Sequence, residues 1–163
     1  MCTTHTISIL VEHKPGVLQK VTGLFSRRGF NIESITVGSS EIENLARMVI
    51  VVYADNKGLE QVKKQWNKLV DVIKIQELHS NSSVKRELCL IKVQTKDSKA
   101  RTEVFQYTDV FRCNIVDVCD NSVTIEVIWH PNKINAFIKL LKHYGIKKIA
   151  RTGPTAVARG SAN

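Results

Sequence analysis

The sequence predicts an α+β protein built from two small sandwiches, each with the element order β-α-β-β-α-β. Three observations predict it. Short alternating apolar runs, the mark of half-buried strands, are interleaved with apolar stripes of helical period. The same order of elements occurs twice, and one polar stretch, His79-Ser80-Asn81-Ser82-Ser83, separates the copies. Domains are therefore expected at 1–79 and 84–163, which suits a chain of 163 residues.

Thr6 to Val11 alternates with Ile7, Ile9 and Val11 on one face, a strand. After His13-Lys14-Pro15-Gly16, the residues Val17, Leu18, Val21, Leu24 and Phe25 form one helical stripe that should stop at Gly29. Asn31 to Ser40 and the nearly all-apolar Leu45 to Tyr53 read as strands. Asn56 can cap a helix carrying Leu59, Val62, Trp66 and Leu69, and Val72 to Leu78 closes the first copy.

In the second copy Leu88 to Val93 is a strand, and Ala100, Val104, Tyr107 and Phe111 make a helical stripe. Ile115 to Cys119 and Val123 to Ile128 form a hairpin around Asp120-Asn121. Pro131 starts a helix bearing Ile134, Phe137, Ile138 and Leu141, Gly145 ends it, and Ile146 to Arg151 is the last strand. Two such units are ferredoxin-like: an antiparallel sheet with helices on one face. The helix-free face of each needs cover from another unit or another protomer, so an oligomer is expected.

Composition narrows the function. The longest apolar runs, such as Met48 to Ala54, are far shorter than the roughly 20 residues of a membrane span. Met1 to Thr6 does not read as a signal peptide. Cys2, Cys89, Cys113 and Cys119 have no C-x-x-C spacing and read as reduced thiols of a cytoplasmic protein. The net charge of +9 is uneven: residues 1–83 hold 10 basic and 8 acidic side chains, residues 84–163 hold 14 and 7. A basic βαββαβ unit invites an RNA-binding reading, but that needs exposed aromatics on the central strands. Tyr53 at a strand end makes no platform and the second unit's strands lack aromatics until Trp129, so nucleic acid is not the expected partner.

No catalytic or phosphate-binding motif is present, and the five histidines have no metal-ligand spacing. The informative segment is Glu12-His13-Lys14-Pro15-Gly16-Val17-Leu18. Pro15 sets the backbone entering the helix, and Gly16 permits close approach because it lacks a Cβ. Backbone N–H groups around Val17 and Leu18 would face out of a helix N-terminus, where a carboxylate binds well. Asn31 offers both a donor and an acceptor, suited to an α-amino and α-carboxylate pair. Pro-Gly and Asn31 serve equally well as plain turn residues.

Those residues continue into a longer likeness. Val11 to Leu18, then Val21-Thr22-Gly23-Leu24-Phe25-Ser26-Arg27-Arg28-Gly29-Phe30-Asn31-Ile32-Glu33-Ser34, resembles the signature of the regulatory small subunit of acetolactate (acetohydroxyacid) synthase. The likeness runs on through Arg86 to Val93, Phe111-Arg112, Val116-Asp117-Val118, Ile149 to Gly153 and Ala158-Arg159-Gly160. It implies an N-terminal ACT domain followed by an ACT-like domain. It further implies a homodimer of ACT domains that binds valine or another branched-chain amino acid at the dimer interface. His13, Gly16, Val17 and Leu18 of one protomer would face Asn31 and Ile32 of the other. The family's subunit activates a separate catalytic large subunit carrying thiamine diphosphate, Mg²⁺ and FAD, and it confers feedback inhibition. The chain itself is then no enzyme and holds no metal or cofactor. A stand-alone ACT-type amino-acid sensor, controlling another enzyme or an RNA, is the alternative. Three positions depart from the family pattern. His13 stands where Asn is usual, Phe30 where Tyr is usual, and Trp129-His130-Pro131 where a Gly-Asp-Pro type turn is common.

Overall fold

The computed structural model describes residues 2–26 and 30–160. The first copy contains β1 (Thr3–Glu12), α1 (Val17–Ser26), β2 (Ile32–Ser39), β3 (Leu45–Ala54), α2 (Asn56–Trp66) and β4 (Val72–Glu77). Its sheet has the order β2-β3-β1-β4, with every neighbouring pair antiparallel. The alternation read from the sequence is the reason: Ile7, Ile9 and Val11 face the helices and meet Val17, Val21, Phe25, Leu59, Val62 and Trp66. Phe25 and Trp66 pack edge to face at 5.0 Å, and the buried Trp66 indole N–H donates to the Val21 carbonyl. The ring of Phe30 fills the space that a Cβ at Gly58 would need, so a larger residue there would displace that ring or the Asp55 carboxylate.

The second copy contains β5 (Ser83–Gln94), α3 (Ser98–Phe111), β6 (Asn114–Cys119), β7 (Ser122–Trp129), α4 (Pro131–Leu141) and β8 (Ile146–Arg151). Its strands follow the same plan, in the order β6-β7-β5-β8. Cys89, Ile91, Val93, Val104, Val123, Ile125, Val127, Ile134, Phe137 and Leu141 form its core. Glu87 is buried at 4% exposure and is held by Arg151 through two hydrogen bonds of 2.5 and 2.8 Å. Arg151 also reaches Asn135 on α4. The two βαββαβ units expected from the sequence are present.

Three details differ from the sequence reading, and one lies beyond comparison. The cap of α2 is Asp55, whose carboxylate accepts the Gly58 N–H, and not Asn56. The fifth strand starts at Ser83, five residues earlier than its apolar pattern, because backbone pairing does not require apolar side chains. A further short strand, β9 (Thr155–Ala158), pairs with β5. The helix stop expected at Gly29 lies outside the described residues.

The chain separates into one compact unit of Met1–Val84 with Pro154–Asn163 and another of Lys85–Gly153. The segment after Pro154, read from the sequence as part of the 84–163 domain, thus packs with the first unit. Ala156, 3% exposed, lies with Val49 and Leu78 on the helix-free face of the first sheet. The Thr36 hydroxyl of β2 donates to the Pro154 carbonyl at 3.3 Å. Some of the cover that this sheet face was expected to need comes from the chain's own C-terminal segment.

Candidate ligand site

The turn between β1 and α1 is fixed from three sides. The His13 N–H donates to the carbonyl of Asn44 at 2.8 Å, and Asn44 itself adopts a φ of 62°, a region that Asn tolerates better than most residues. The Lys14 ammonium pairs with Glu12 at 2.7 Å, and the hydrogen bond and charge of that carboxylate raise Lys14 above the ordinary lysine range. Lys20 pairs with Asp71 at 2.6 Å, while the Glu12 N–H bonds the Asp71 carbonyl. Gly16 has a φ of 82°, where an L side chain is strained, and open space where its Cβ would be. A groove of about 460 Å³ runs from Gly16 along α1 past Gln19, Gly23 and Leu24 to Leu69.

The six candidate residues fall into two groups. His13, Gly16, Val17 and Leu18 sit together at this turn. The His13 side chain is exposed and Leu18 is 44% exposed, so both can meet a ligand. Val17 is 2% exposed and belongs to the core, and its N–H donates to the Lys14 carbonyl at 3.4 Å. Its side chain therefore anchors the turn, and one of the N–H groups expected to be free has an internal partner. Asn31, exposed, and Ile32, half-buried against the core, lie at the start of β2. The rest of α1 beyond Leu18, about 12 Å of helix, separates the two groups. Because β1 and β2 are both antiparallel to β3, β2 starts at the opposite end of the sheet from the β1–α1 turn. One chain therefore does not bring the two groups together.

Sequence reasoning missed the supports of the turn, namely Asn44, Asp71 and the Glu12–Lys14 pair. The Asn just before an apolar strand was the one local signal. The contact of Lys20 with Asp71 spans 51 residues and left none.

Chemistry elsewhere is sparse. Cys89 is fully buried, and burial pushes its thiol up to about 11, away from nucleophilic use. Burial likewise raises Cys113, against a smaller opposing effect of Lys133. Among the described residues no three His, Cys, Asp or Glu side chains cluster to hold a metal ion, and no helix is long and apolar enough to cross a membrane.

Comparison with known proteins gives the family. A family profile described as the AHAS small subunit-like ACT domain matches residues 7–74, and one described as the small subunit of acetolactate synthase matches residues 86–160. The chain is 57% identical to a probable acetolactate synthase small subunit of Methanothermobacter thermautotrophicus, over 97% of this chain and 94% of that protein. The chain belongs to the acetolactate synthase small-subunit family. The small subunit of Mycolicibacterium smegmatis is 49% identical over 96% of this chain and 92% of its own. The crystal structure of the acetolactate synthase small subunit from Thermotoga maritima superposes with a TM-score of 0.88 at 45% identity, over 97% of this chain and 98% of that one. Membership gives the chain a regulatory role in branched-chain amino-acid biosynthesis and implies a catalytic subunit as partner.

Proposed function

We propose that two copies of this small subunit pair through their β2 edges and bind a branched-chain amino acid, valine foremost, in two sites shared between them. The observation that carries this reading is the separation of the two residue groups to opposite ends of one sheet, with β2 as an edge strand. An antiparallel pairing of two β2 edges about a twofold axis brings the start of one β2 beside the end of the other. The partner's Asn31 and Ile32 then approach His13, Gly16 and Leu18 of the first copy, and the groups separated in one chain meet.

The chemistry suits a small zwitterion. Burial of an isopropyl side chain contributes about 1.5–3 kcal/mol, and each charge-assisted hydrogen bond about 1.5–3 kcal/mol before ordering costs. A net of about 5.5 kcal/mol corresponds to a Kd of about 0.1 mM, useful for sensing a metabolite. Because the ligand touches both copies, its binding favours one packing of the pair over others, and that difference is what reaches the catalytic subunit. Thiamine diphosphate, Mg²⁺ and FAD belong, on this reading, to the catalytic subunit in the cytoplasm. The test is to assay that subunit alone, with this chain, and with this chain plus valine. Stimulation by the chain and its reversal by valine are expected. Stimulation that neither valine, leucine nor isoleucine reverses would remove the ligand half of the proposal.

A further inference from the structure

The opposite face of the first sheet carries a second cavity, well away from helix α1. It measures about 480 Å³, within the usual range of small-molecule sites. Its floor is a row across three strands, Arg47 on β3, Leu10 on β1 and Lys74 on β4, with Leu10 directly opposite both basic residues. Ser8 and Gln76, also paired across strands, form the next row. The C-terminal segment Ala156 to Ala158 supplies a wall of small apolar residues, and Leu78 and Ile42 add to it.

The polar groups here are mostly donors. Arg47 is engaged with Glu41 at 2.7 Å, and its other terminal nitrogen donates to the Ser8 hydroxyl oxygen at 3.4 Å. Ser8 is 4% exposed, and its own hydroxyl hydrogen has no acceptor among the described residues. Neither the Lys74 ammonium nor the Gln76 amide has a hydrogen-bond partner among the described residues. Two cations and one carboxylate leave the wall with one unbalanced positive charge. Glu41 lies at the exposed rim and is already paired, so no free carboxylate remains to receive an ammonium group.

We propose that this cavity binds a short-chain aliphatic monocarboxylate. The carboxylate takes the Lys74 ammonium, the Gln76 amide and the Ser8 hydroxyl, and the aliphatic body lies against Leu10, Leu78 and Ala156. A charged ligand is preferred to its neutral amide because the site supplies a net positive charge, and an aliphatic acid to inorganic phosphate because the remaining walls are apolar.

The experiment titrates the full-length, ¹⁵N-labelled chain with isobutyrate at constant ionic strength, in the presence of saturating valine. Saturable shifts are expected at the amides of Ser8, Lys74, Gln76 and Ala156 to Ala158, with isobutyramide and phosphate producing none of comparable size. Lys74→Met should weaken isobutyrate at least tenfold, and Gln76→Leu less, with the spectra of both variants otherwise retained. Absence of shifts at these amides, or equal shifts with chloride or phosphate, would each overturn the proposal. Its failure leaves the valine site untouched, because valine is held at saturation throughout.

Discussion

In the first unit the helix that follows the opening strand starts at Val17, right after Pro15-Gly16, and Gly16 has no side chain to close the helix end. In the second unit the equivalent helix starts after Asp97, whose carboxylate accepts the Ala100 N–H at 2.8 Å. The two units share one strand order and the same buried face, so this turn is where they part. A helix N-terminus attracts a carboxylate. The second unit provides one from its own chain, whereas Gly16 in the first provides none, and on the proposed reading the ligand's carboxylate takes that position.

The comparison extends to how each unit secures its sheet. The second uses the buried Glu87 with Arg151, while the first uses a partly buried cluster in which Glu77 meets His5 at 2.8 Å and Lys63 at 2.6 Å. The largest expected effect therefore lies in the second unit. Arg151→Met leaves Glu87 buried and unpaired, at a cost of about 3 kcal/mol, the low end for such pairs because Arg151 itself is partly exposed. Amide exchange in β5 and β8 should speed roughly a hundredfold, with β1 and β3 unchanged. Equal acceleration in both units would mean that they do not open independently.

Next in size is Gly16→Asp, which gives the first unit the internal carboxylate of the second. Valine affinity by calorimetry should fall at least about tenfold, or 1.4 kcal/mol, while stimulation of the catalytic subunit persists. The left-handed φ adds about 1 kcal/mol of strain, so the melting temperature of the variant is measured alongside. Loss of stimulation together with valine binding would point to misfolding. Asp97→Ala is the mirror experiment. It should cost about 1 kcal/mol of stability in urea unfolding and leave valine affinity where it was. A changed valine affinity would break the contrast between the two turns.

The smallest effect concerns acid. Burial pushes Glu77 up, but the hydrogen bonds and charges of Lys63 and His5 outweigh it and hold the carboxyl below the usual range. A depressed carboxyl stabilises the fold above its unfolded value, near 4.3 for glutamate, and that contribution is lost as pH falls through the folded value. Glu77→Gln should therefore flatten the decline of urea midpoint below about pH 4. The variant should leave β5 and β8 exchange unaltered.

Much of the fold is legible in the sequence, and for identifiable reasons. Alternation in Ile7, Ile9 and Val11 and the stripe Leu59, Val62, Trp66 yield strands and helices directly, since burial imposes those periods. The residues of the turn are legible because Pro and Gly have few other uses at a helix start. What escapes is long-range. The Glu87–Arg151 pair joins residues 64 apart, and Ala156 folds back onto Val49 and Leu78 from the far end of the chain. No local pattern encodes either contact. Val17 misleads for a different reason. As the first residue of its helix it looks available to a ligand, yet the stripe that makes α1 amphipathic buries it.

If each valine site draws on two copies, mixing two defective variants reveals it most directly. Gly16→Asp in one chain and Asn31→Ala in the other should each weaken valine binding by the homodimers at least about tenfold. In a mixed dimer one site carries both defects and the other carries neither. Recovery of valine binding, and of valine inhibition of the catalytic subunit, upon mixing and subunit exchange is the predicted result. No recovery in verified mixed dimers would mean that each site is built within one chain, and the shared-site arrangement would be wrong.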